Sequence, residues 1–226
     1  MHNYLKTLSL LLLFISTSSS AYTVGPTTPG KWGSPILGTG AAITYSFMTE
    51  GASLANFMPV GFESEIGKAF DAWSSVADLT FTNVVDDGAA FDATTLSGDI
   101  RFGGHSFDGA GGVLAHGFFP PANGNSAAGD IHFDTAETWG INGIGGLDIF
   151  WVALHEIGHA LGLGHSDVAP AVMGAFYDPS LASLQEDDKA GIQYLYGAPA
   201  VVPIPAAFWL FASGLLGFLG MRKKKQ

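Results

Sequence analysis

Three histidines and one glutamate lie close together in the segment HEIGHALGLGH, which begins at His155. On an α-helix, residues four apart lie about 40° from each other around the axis, so His155 and His159 can bind one metal ion. Glu156 lies next to that pair. His165 is about 9 Å of helical rise beyond His159 and reaches the same ion only if the helix ends and the chain turns back. Gly162 permits this turn, because glycine adopts positive φ without a Cβ penalty.

These residue types suit catalysis by a bound metal. Three imidazoles leave the fourth position of a tetrahedral zinc open for water, which is the mark of a catalytic site. Zinc lowers the pKa of that water to about 7 and polarises a carbonyl, and Glu156 would pass the proton to a leaving amine. The spacing is that of the long zinc-protease pattern H-E-x-x-H-x-x-G-x-x-H, so a zinc peptidase is the first hypothesis. The alternative is a helix with chance surface histidines, which the added glycine and third histidine disfavour.

The start of the chain predicts export. The chain has 226 residues, enough for one domain of ordinary size. Residues 1–21 have the pattern of a secretory signal: Lys6, an apolar run over residues 8–15, and small residues ending at Ala21. A membrane anchor is the alternative, but the apolar run is too short to span a bilayer comfortably.

The composition limits which partners the chain can bind and which covalent or ionic links can stabilise its fold. The chain has no cysteine, so disulfides and thiolate ligands are excluded and bound ions are the natural substitute. Residues 22–198 contain four basic against 20 acidic residues, a net charge of about −16, so no nucleic-acid partner is expected. Abundant Asp and Gly suit calcium-binding loops, although a solvated acidic surface is the simpler interpretation for most of these residues.

The hydrophobic pattern predicts an α+β domain with its strands concentrated in the N-terminal half. Residues 22–40 are expected to be extended or poorly ordered, and the long glycine-rich stretch over residues 103–139 is expected to be functional or held by ions. The predicted strands cover residues 42–47, 81–85, 99–102, 113–118 and 130–133, and the predicted helices cover residues 63–78, 147–163 and 185–196.

The zinc segment and Val172-Met173-Gly174 together resemble the metzincins, in which a methionine turn lies beneath the metal. The segments AFDAWSSVADLTFTNV, SGDIRF, FDGAGGVLAHGFFP, GDIHFDTAETW and DDKAGIQYLYG narrow the resemblance to the matrixins over about residues 31–197. It implies a matrixin-like metalloprotease domain over residues 22–198, with a mixed twisted sheet and three helices. It also implies that Met173 is a hydrophobic base under the zinc and not a ligand, a role that an ordinary core methionine can fill.

The resemblance further implies two kinds of stabilising ion. His105, His116 and His132 match ligands of a second, structural zinc. Asp108, Asp134 and Glu137 match a calcium site, and Asp99 and Asp130 match another. The family usually has His-Gly-Asp and several more residues before FDG, whereas this chain has only Ser106-Phe107 between His105 and Asp108. The aspartate ligand is therefore missing, and His105 is either a ligand of an incomplete zinc site or a simple loop residue.

The resemblance also implies how a protein or peptide substrate binds. The strand that includes Val113, Leu114 and Ala115 and ends at His116 would pair with the substrate backbone by β-strand addition. Residues 174–184 line the pocket for the residue after the cut, where Tyr177 is either part of the wall or an ordinary loop aromatic. Family proteases are often inhibited by a pro-segment cysteine, which this chain lacks, so activity on folding or another form of control is expected. A monomer is expected.

The end of the chain has its own resemblance. The sequence VPIPAAFWL, an apolar stretch to Met221 and the basic cluster RKKK in residues 199–226 resemble the PEP-CTERM tail of bacterial exported proteins. This implies recognition by an exosortase-like membrane sorting enzyme and delivery to the cell surface or extracellular matrix of a bacterium. Residues 206–221 as a helix span about 24 Å against a roughly 30 Å hydrocarbon core, a marginal permanent anchor. A plain anchor with the basic cluster on the cytoplasmic side is the alternative.

A second class of function is also compatible with the chain. A surface or matrix protein can keep such a fold and its metals for binding or structure alone. Glu156 favours the enzyme, because a binding module has no need of a base beside the zinc.

Overall fold

A five-stranded sheet is formed by strands that lie between residues 41 and 134. A computed structural model describes residues 22–90, 93–120, 127–181 and 183–200. Its strands are β1 Ala41–Phe47, β2 Leu79–Asn83, β3 Ile100–His105, β4 Ala115–Gly117 and β5 Ile131–Asp134. The spatial order is β2-β1-β3-β5-β4; all neighbouring pairs are parallel except β4 with β5, which are antiparallel. The expected mixed sheet is confirmed, and β4 forms one of its edges.

Three α-helices accompany the sheet, as the sequence predicts: α1 Phe62–Ser74, α2 Ile149–Ala160 and α3 Glu186–Tyr196. Helix α1 makes the crossover that the parallel pair β1 and β2 requires. The sequence did not predict two further features. One is a pair of 3₁₀ turns, Glu50–Ala52 and Leu54–Asn56. The other is a two-stranded sheet formed by β6 Trp139–Gly140 and β7 Leu147–Asp148. The α+β fold is confirmed.

Helix α2 is the centre of the core. Asp148 caps its N-terminus, and the Asp148 carboxylate accepts a hydrogen bond from the Phe150 N–H at 3.0 Å. Its apolar side chains are buried on most sides, and the indole of Trp73 on α1 donates to the Leu154 carbonyl at 3.0 Å. A helix that is apolar nearly all round belongs in an interior. Its few polar side chains are therefore held in fixed surroundings.

Strand β4 is shorter than predicted. It begins at Ala115 and not at Val113, because the Val113 N–H is bonded to the carboxylate of Asp108 at 3.2 Å. Leu114 still contributes its carbonyl to the Asp134 N–H at 2.9 Å. The sheet edge is thus continuous with the loop that precedes it.

The predicted signal segment and residues 201–226 of the tail lie outside the described residues. Within the part of the chain that the structure describes, no helix is both long enough and apolar enough to cross a membrane.

Candidate active site

The end of α2 brings three histidines together. His155 and His159 lie one turn apart, and the chain reverses at Gly162, whose φ is +108°, to return His165 to them. The ring centroids are 4.7 Å apart for His155 and His159, 4.8 Å for His159 and His165, and 5.2 Å for His155 and His165. Their nitrogen donors lie within 4.8 Å of one another. No other trio of His, Asp or Glu among the described residues is gathered this closely.

Backbone carbonyls orient two of these rings. Nδ1 of His155 lies 2.7 Å from the Val172 carbonyl, and Nδ1 of His159 lies 2.7 Å from the Leu163 carbonyl. A carbonyl can only accept, so each Nδ1 carries the proton and each Nε2 presents a lone pair. Burial lowers the pKa of His155 to about 4, and burial together with His155 lowers the pKa of His159 to about 3. Both rings are therefore neutral at pH 7, the form that binds a metal.

Glu156 is buried beside this trio, with 7% of its surface exposed. Burial raises the pKa of Glu156 to about 8, although the Gly117 N–H donates to its carboxylate and opposes the shift. A Cβ at Gly117 would lie 2.5 Å from the Glu156 carbonyl oxygen, so this close approach of β4 to α2 requires glycine. A dication among neutral imidazoles would favour the carboxylate form. The site therefore fits a zinc ion, as its three neutral nitrogen donors and its acidic neighbour indicate.

The turn that carries Met173 packs against α2 at Gly158. Met173 is 2% exposed, and a Cβ at Gly158 would lie 2.2 Å from its sulfur. The carboxylate of Asp188 accepts from the N–H groups of Val172 and Met173 at 2.9 Å each. Asp188 thus fixes the turn whose carbonyl orients His155. The sequence analysis missed Asp188, although its place in the capping box of α3 was a usable signal.

A cleft of about 1300 Å³ runs over the three histidines and Glu156. The predicted Val113 and Leu114, which precede β4, and the predicted Ala115, which begins it, all line the cleft. The predicted Tyr177 lines the cleft together with Phe176 and Leu181. Trp151, one helical turn before His155, also lines it and was missed. Its i−4 spacing from a metal ligand was the signal that could have identified it.

The histidines matched to a second zinc also gather, but with a phenylalanine among them. His116 and His132 are register partners in β4 and β5, and the rings of His105 and His132 lie 5.3 Å apart. The ring of Phe107 stacks on His116 at 4.3 Å and meets the edge of His105 at 4.4 Å. Burial, followed by the neighbouring His105 and His132, lowers the pKa of His116.

The first group of predicted calcium ligands surrounds the loop that leads to β4. Asp134 is fully buried, and its Oδ1 accepts from the Ala136 N–H at 2.8 Å. Its Oδ2 is buried without a hydrogen-bond partner among the described residues, as an oxygen reserved for a cation would be. Asp108 accepts from Val113, and Glu137 accepts from the Gly111 N–H at 2.5 Å. The donor set fits calcium, which prefers carboxylate and carbonyl oxygens.

The second predicted pair of calcium ligands has different partners. Oδ2 of Asp99 accepts from both the N–H and the hydroxyl of Thr44 at 2.8 Å. Oδ2 of Asp130 lies 3.7 Å from Nε2 of His132, and burial raises the pKa of Asp130. The Asp99 oxygen is thus committed to Thr44, whereas Oδ2 of Asp130 is buried without a hydrogen-bond partner among the described residues.

Comparison with known proteins identifies the family. The matrixin profile matches residues 37–197. The chain belongs to the matrixins.

This matrixin is 43% identical to stromelysin-3 of Mus musculus over 143 residues, which cover 63% of this chain and 28% of that protein. It is 39% identical to karilysin of Tannerella forsythia over 145 residues, covering 64% of this chain and 30% of karilysin. It is 41% identical to the hatching enzyme of Paracentrotus lividus over 164 residues, covering 69% and 25% of the two chains. The similarity therefore spans about a quarter to a third of these relatives.

Proposed function

We propose that this matrixin is an exported zinc-dependent endopeptidase acting on protein or peptide substrates. The observation that carries the proposal is Glu156, a buried acid that lines the cleft beside three histidines whose donor atoms lie within 4.8 Å of each other. The names of its relatives, which include a matrix metalloproteinase, support a proteolytic activity.

Each residue has a distinct role in this mechanism. His155, His159 and His165 would hold zinc, which would supply the Lewis acidity that lowers the pKa of water and polarises a carbonyl. Glu156 takes a proton from the attacking water and delivers it to the departing amine. The edge of β4 pairs with the substrate backbone and aligns the scissile bond with Glu156. The Val172 and Leu163 carbonyls keep the first two imidazoles in the tautomer that binds metal.

A metal-stabilised binding protein on the same fold is the second candidate. It accounts for the three histidines but leaves Glu156 without a use. Burying an acid costs free energy unless a partner or a function requires it. The enzyme is therefore the better account.

We further propose that ions stabilise the long loop. Calcium is held by Asp108, Asp134 and Glu137, with Asp99 and Asp130 as a further and weaker calcium site. His105, His116 and His132 bind a second zinc weakly, because the family aspartate is missing and the His116 ring is stacked on Phe107.

The remaining parts of the chain concern delivery. We propose that residues 1–21 direct export, that residues 22–198 form the protease domain, and that residues 199–226 are a sorting tail. The tail contacts the membrane and is recognised by exosortase-like machinery, which delivers the protein to the surface or extracellular matrix of a bacterium.

The test is an assay of purified residues 22–198 on a denatured protein, with and without a chelator, and with new termini identified by mass spectrometry. We expect internal cleavage that stops with chelator and returns with added zinc. A Glu156→Gln variant prepared in the same way controls for contaminating proteases. Cleavage that persists with chelator, or is unchanged in the variant, would contradict the proposal.

A further inference from the structure

The segment that reverses the chain after α2 carries the third histidine but lies outside the helix. The last carbonyls of a helix have no partner within the helix. Here the helix is followed by residues 161–165, which we call the return loop. This loop ends at the third histidine, His165. Two of its five residues are glycine, so few of its side chains can anchor it.

Another segment of the chain supplies the missing partners. Residues 23–32, which we call the N-terminal strap, lie along the return loop. Val24 and Leu163 form an antiparallel bridge, and the Gly164 N–H donates to the Thr23 carbonyl at 3.0 Å. The strap thus forms one short strand pair with the loop that carries His165.

Five carbonyl groups between residues 160 and 165 have hydrogen-bond partners. The strap bonds three of them: the Trp32 indole donates to Ala160 at 2.8 Å, the Gly25 N–H donates to Gly162 at 2.8 Å, and the Thr23 hydroxyl donates to His165. The Tyr196 hydroxyl of α3 donates to Leu161 at 2.9 Å, and the Leu163 carbonyl lies 2.7 Å from Nδ1 of His159.

The two glycines of the return loop permit this contact. A Cβ at Gly162 would lie 2.1 Å from the Gly30 carbonyl oxygen, and a Cβ at Gly164 would lie 2.5 Å from the Thr23 hydroxyl. Gly162 therefore serves two purposes, since its positive φ turns the chain and its missing side chain makes room for the strap. Any larger residue at either position would push the strap away.

We propose that the N-terminal strap is a positioning element for the third metal ligand. By bonding the carbonyls on both sides of the reversal, it holds His165 where His155 and His159 need it before any ion arrives. Without these bonds the loop samples other conformations, and the apparent dissociation constant rises as the binding-competent fraction falls. The strap begins two residues after Ala21, so trimming that removes Thr23 is expected to weaken the metal site. This inference rests on the proposed role of the three histidines as zinc ligands.

The experiment measures zinc affinity of the metal-free protein by competition with a chromophoric chelator. Thr23→Val removes the hydroxyl that bonds His165, and Thr23→Ser restores it. Thr39→Val is the matched control, because the Thr39 hydroxyl donates to the Ile36 carbonyl at 2.6 Å and does not contact the return loop. Thr23 is exposed, so none of its variants is expected to prevent folding. Trp32→Phe keeps an aromatic ring at this position but leaves the Ala160 carbonyl without its indole donor.

We expect zinc affinity to fall about fivefold in Thr23→Val and about tenfold or more in Trp32→Phe, the loss that one hydrogen bond or one unsatisfied carbonyl produces. Thr23→Ser and Thr39→Val should remain near wild type. The proposal is overturned if Thr23→Val and Trp32→Phe bind zinc like wild type, even where their melting temperatures fall, because the strap is then only a structural support. A His165→Ala variant separates the two ideas: wild-type zinc affinity in that variant would mean that the proposed zinc ligands are wrong.

Discussion

Glu156 and its neighbouring histidines share one stretch of helix but have different duties. The carbonyls of Val172 and Leu163 orient the rings of His155 and His159, whereas the carboxylate of Glu156 accepts from the Gly117 N–H. Burial raises the pKa of Glu156 to about 8 without a metal, and a bound dication would favour the carboxylate form, which accepts a proton. Changing the acid should therefore separate chemistry from metal binding.

We predict that Glu156→Gln lowers the rate of peptide hydrolysis by about 10²- to 10⁴-fold, the usual contribution of a positioned acid or base. Zinc content should stay at the wild-type level, as measured by mass spectrometry of the metal in the purified protein. Glu186→Gln is the control, since Glu186 lies on α3 with its side chain 92% exposed. A rate near wild type in Glu156→Gln would refute the mechanism.

The second zinc site makes a separate prediction. Metal analysis should give between about one and two zinc ions per chain, falling towards one after mild dialysis, because a structural zinc normally needs four protein ligands. The His132→Asn variant should lose only the weakly held fraction. Two ions that survive dialysis would show that another carboxylate replaces the missing aspartate, with Asp130 beside His132 as the first residue to examine.

At the scale of elements, three negatively charged carboxylates surround the loop before β4. Asp134 is buried with one oxygen lacking a hydrogen-bond partner among the described residues, while Asp108 and Glu137 bond the backbone of residues 111–113. A cation would offset their repulsion and fix the edge at which we propose that substrate binds. The position of β4 would then depend on ion binding.

We predict that calcium raises the melting temperature, because its binding increases the free energy of unfolding by an amount that grows with concentration and reaches about 2.7 kcal/mol at a hundredfold excess over the dissociation constant. Asp134→Asn should abolish most of this response in differential scanning calorimetry. Asp178→Asn, an exposed aspartate that Ser180 bonds locally, should keep it. The absence of any calcium response in the wild-type protein would contradict the assignment.

A second element depends on a buried ion pair. Arg101 on β3 bonds the Asp86 carboxylate at 2.9 Å, and each side chain is 1% exposed. Arg101 also donates to the carbonyls of Ala89 and Ala90, so it anchors the segment that crosses from β2 to β3. Burial acts to raise the pKa of Asp86, but hydrogen bonds from Arg101 and Gly88 outweigh it and lower the pKa.

We predict that Asp86→Asn costs about 3–5 kcal/mol at pH 7, because it leaves the guanidinium buried without its counter-charge. The pKa of Asp86 is lower in the folded state, so its stabilisation is full above the ordinary value of about 3.9 and is lost as the pH falls below it. Urea midpoints at pH 7 and pH 3 should show the gap between wild type and variant narrowing at the lower pH. A gap of the same size at both values would contradict the charge argument.

At the scale of the whole molecule, the acidic protease domain is joined to a short apolar tail with a basic end. Four basic and 20 acidic residues in residues 22–198 give that domain no attraction to an anionic membrane. Membrane contact would therefore depend on the terminal segments. Processing of the tail should decide where the protein resides.

We predict that the mature protein from its native host ends near Pro203. Mass spectrometry of the C-terminal peptide tests this. A chain lacking residues 202–226 should reach the surface poorly, yet its purified domain should hydrolyse peptides at the wild-type rate. An intact Gln226 on the mature, membrane-bound protein would contradict processing and favour a plain anchor.

The sequence by itself determined the features that depend on local geometry. The spacing of His155 and His159 implies one helical face whatever the surroundings, and Gly162 allows the reversal through its own backbone freedom. The family segments then predicted the mixed sheet, the three helices and the methionine turn. The helix ends, the start of β4 and the small β6–β7 sheet were less accessible, because competing bonds such as that from Val113 to Asp108 decide them.

Only the tertiary structure decided which distant groups complete the site. Trp32 is 128 residues from the Ala160 carbonyl that it bonds, and Thr23 is 142 residues from His165. Asp188 holds the turn that orients His155, and Trp151 and Tyr177 line one cleft from different elements. No period or spacing encodes such pairs, because each depends on how several packed elements are oriented relative to one another. The three histidines were therefore readable in one continuous motif, whereas the groups that position them became visible only after the chain had folded.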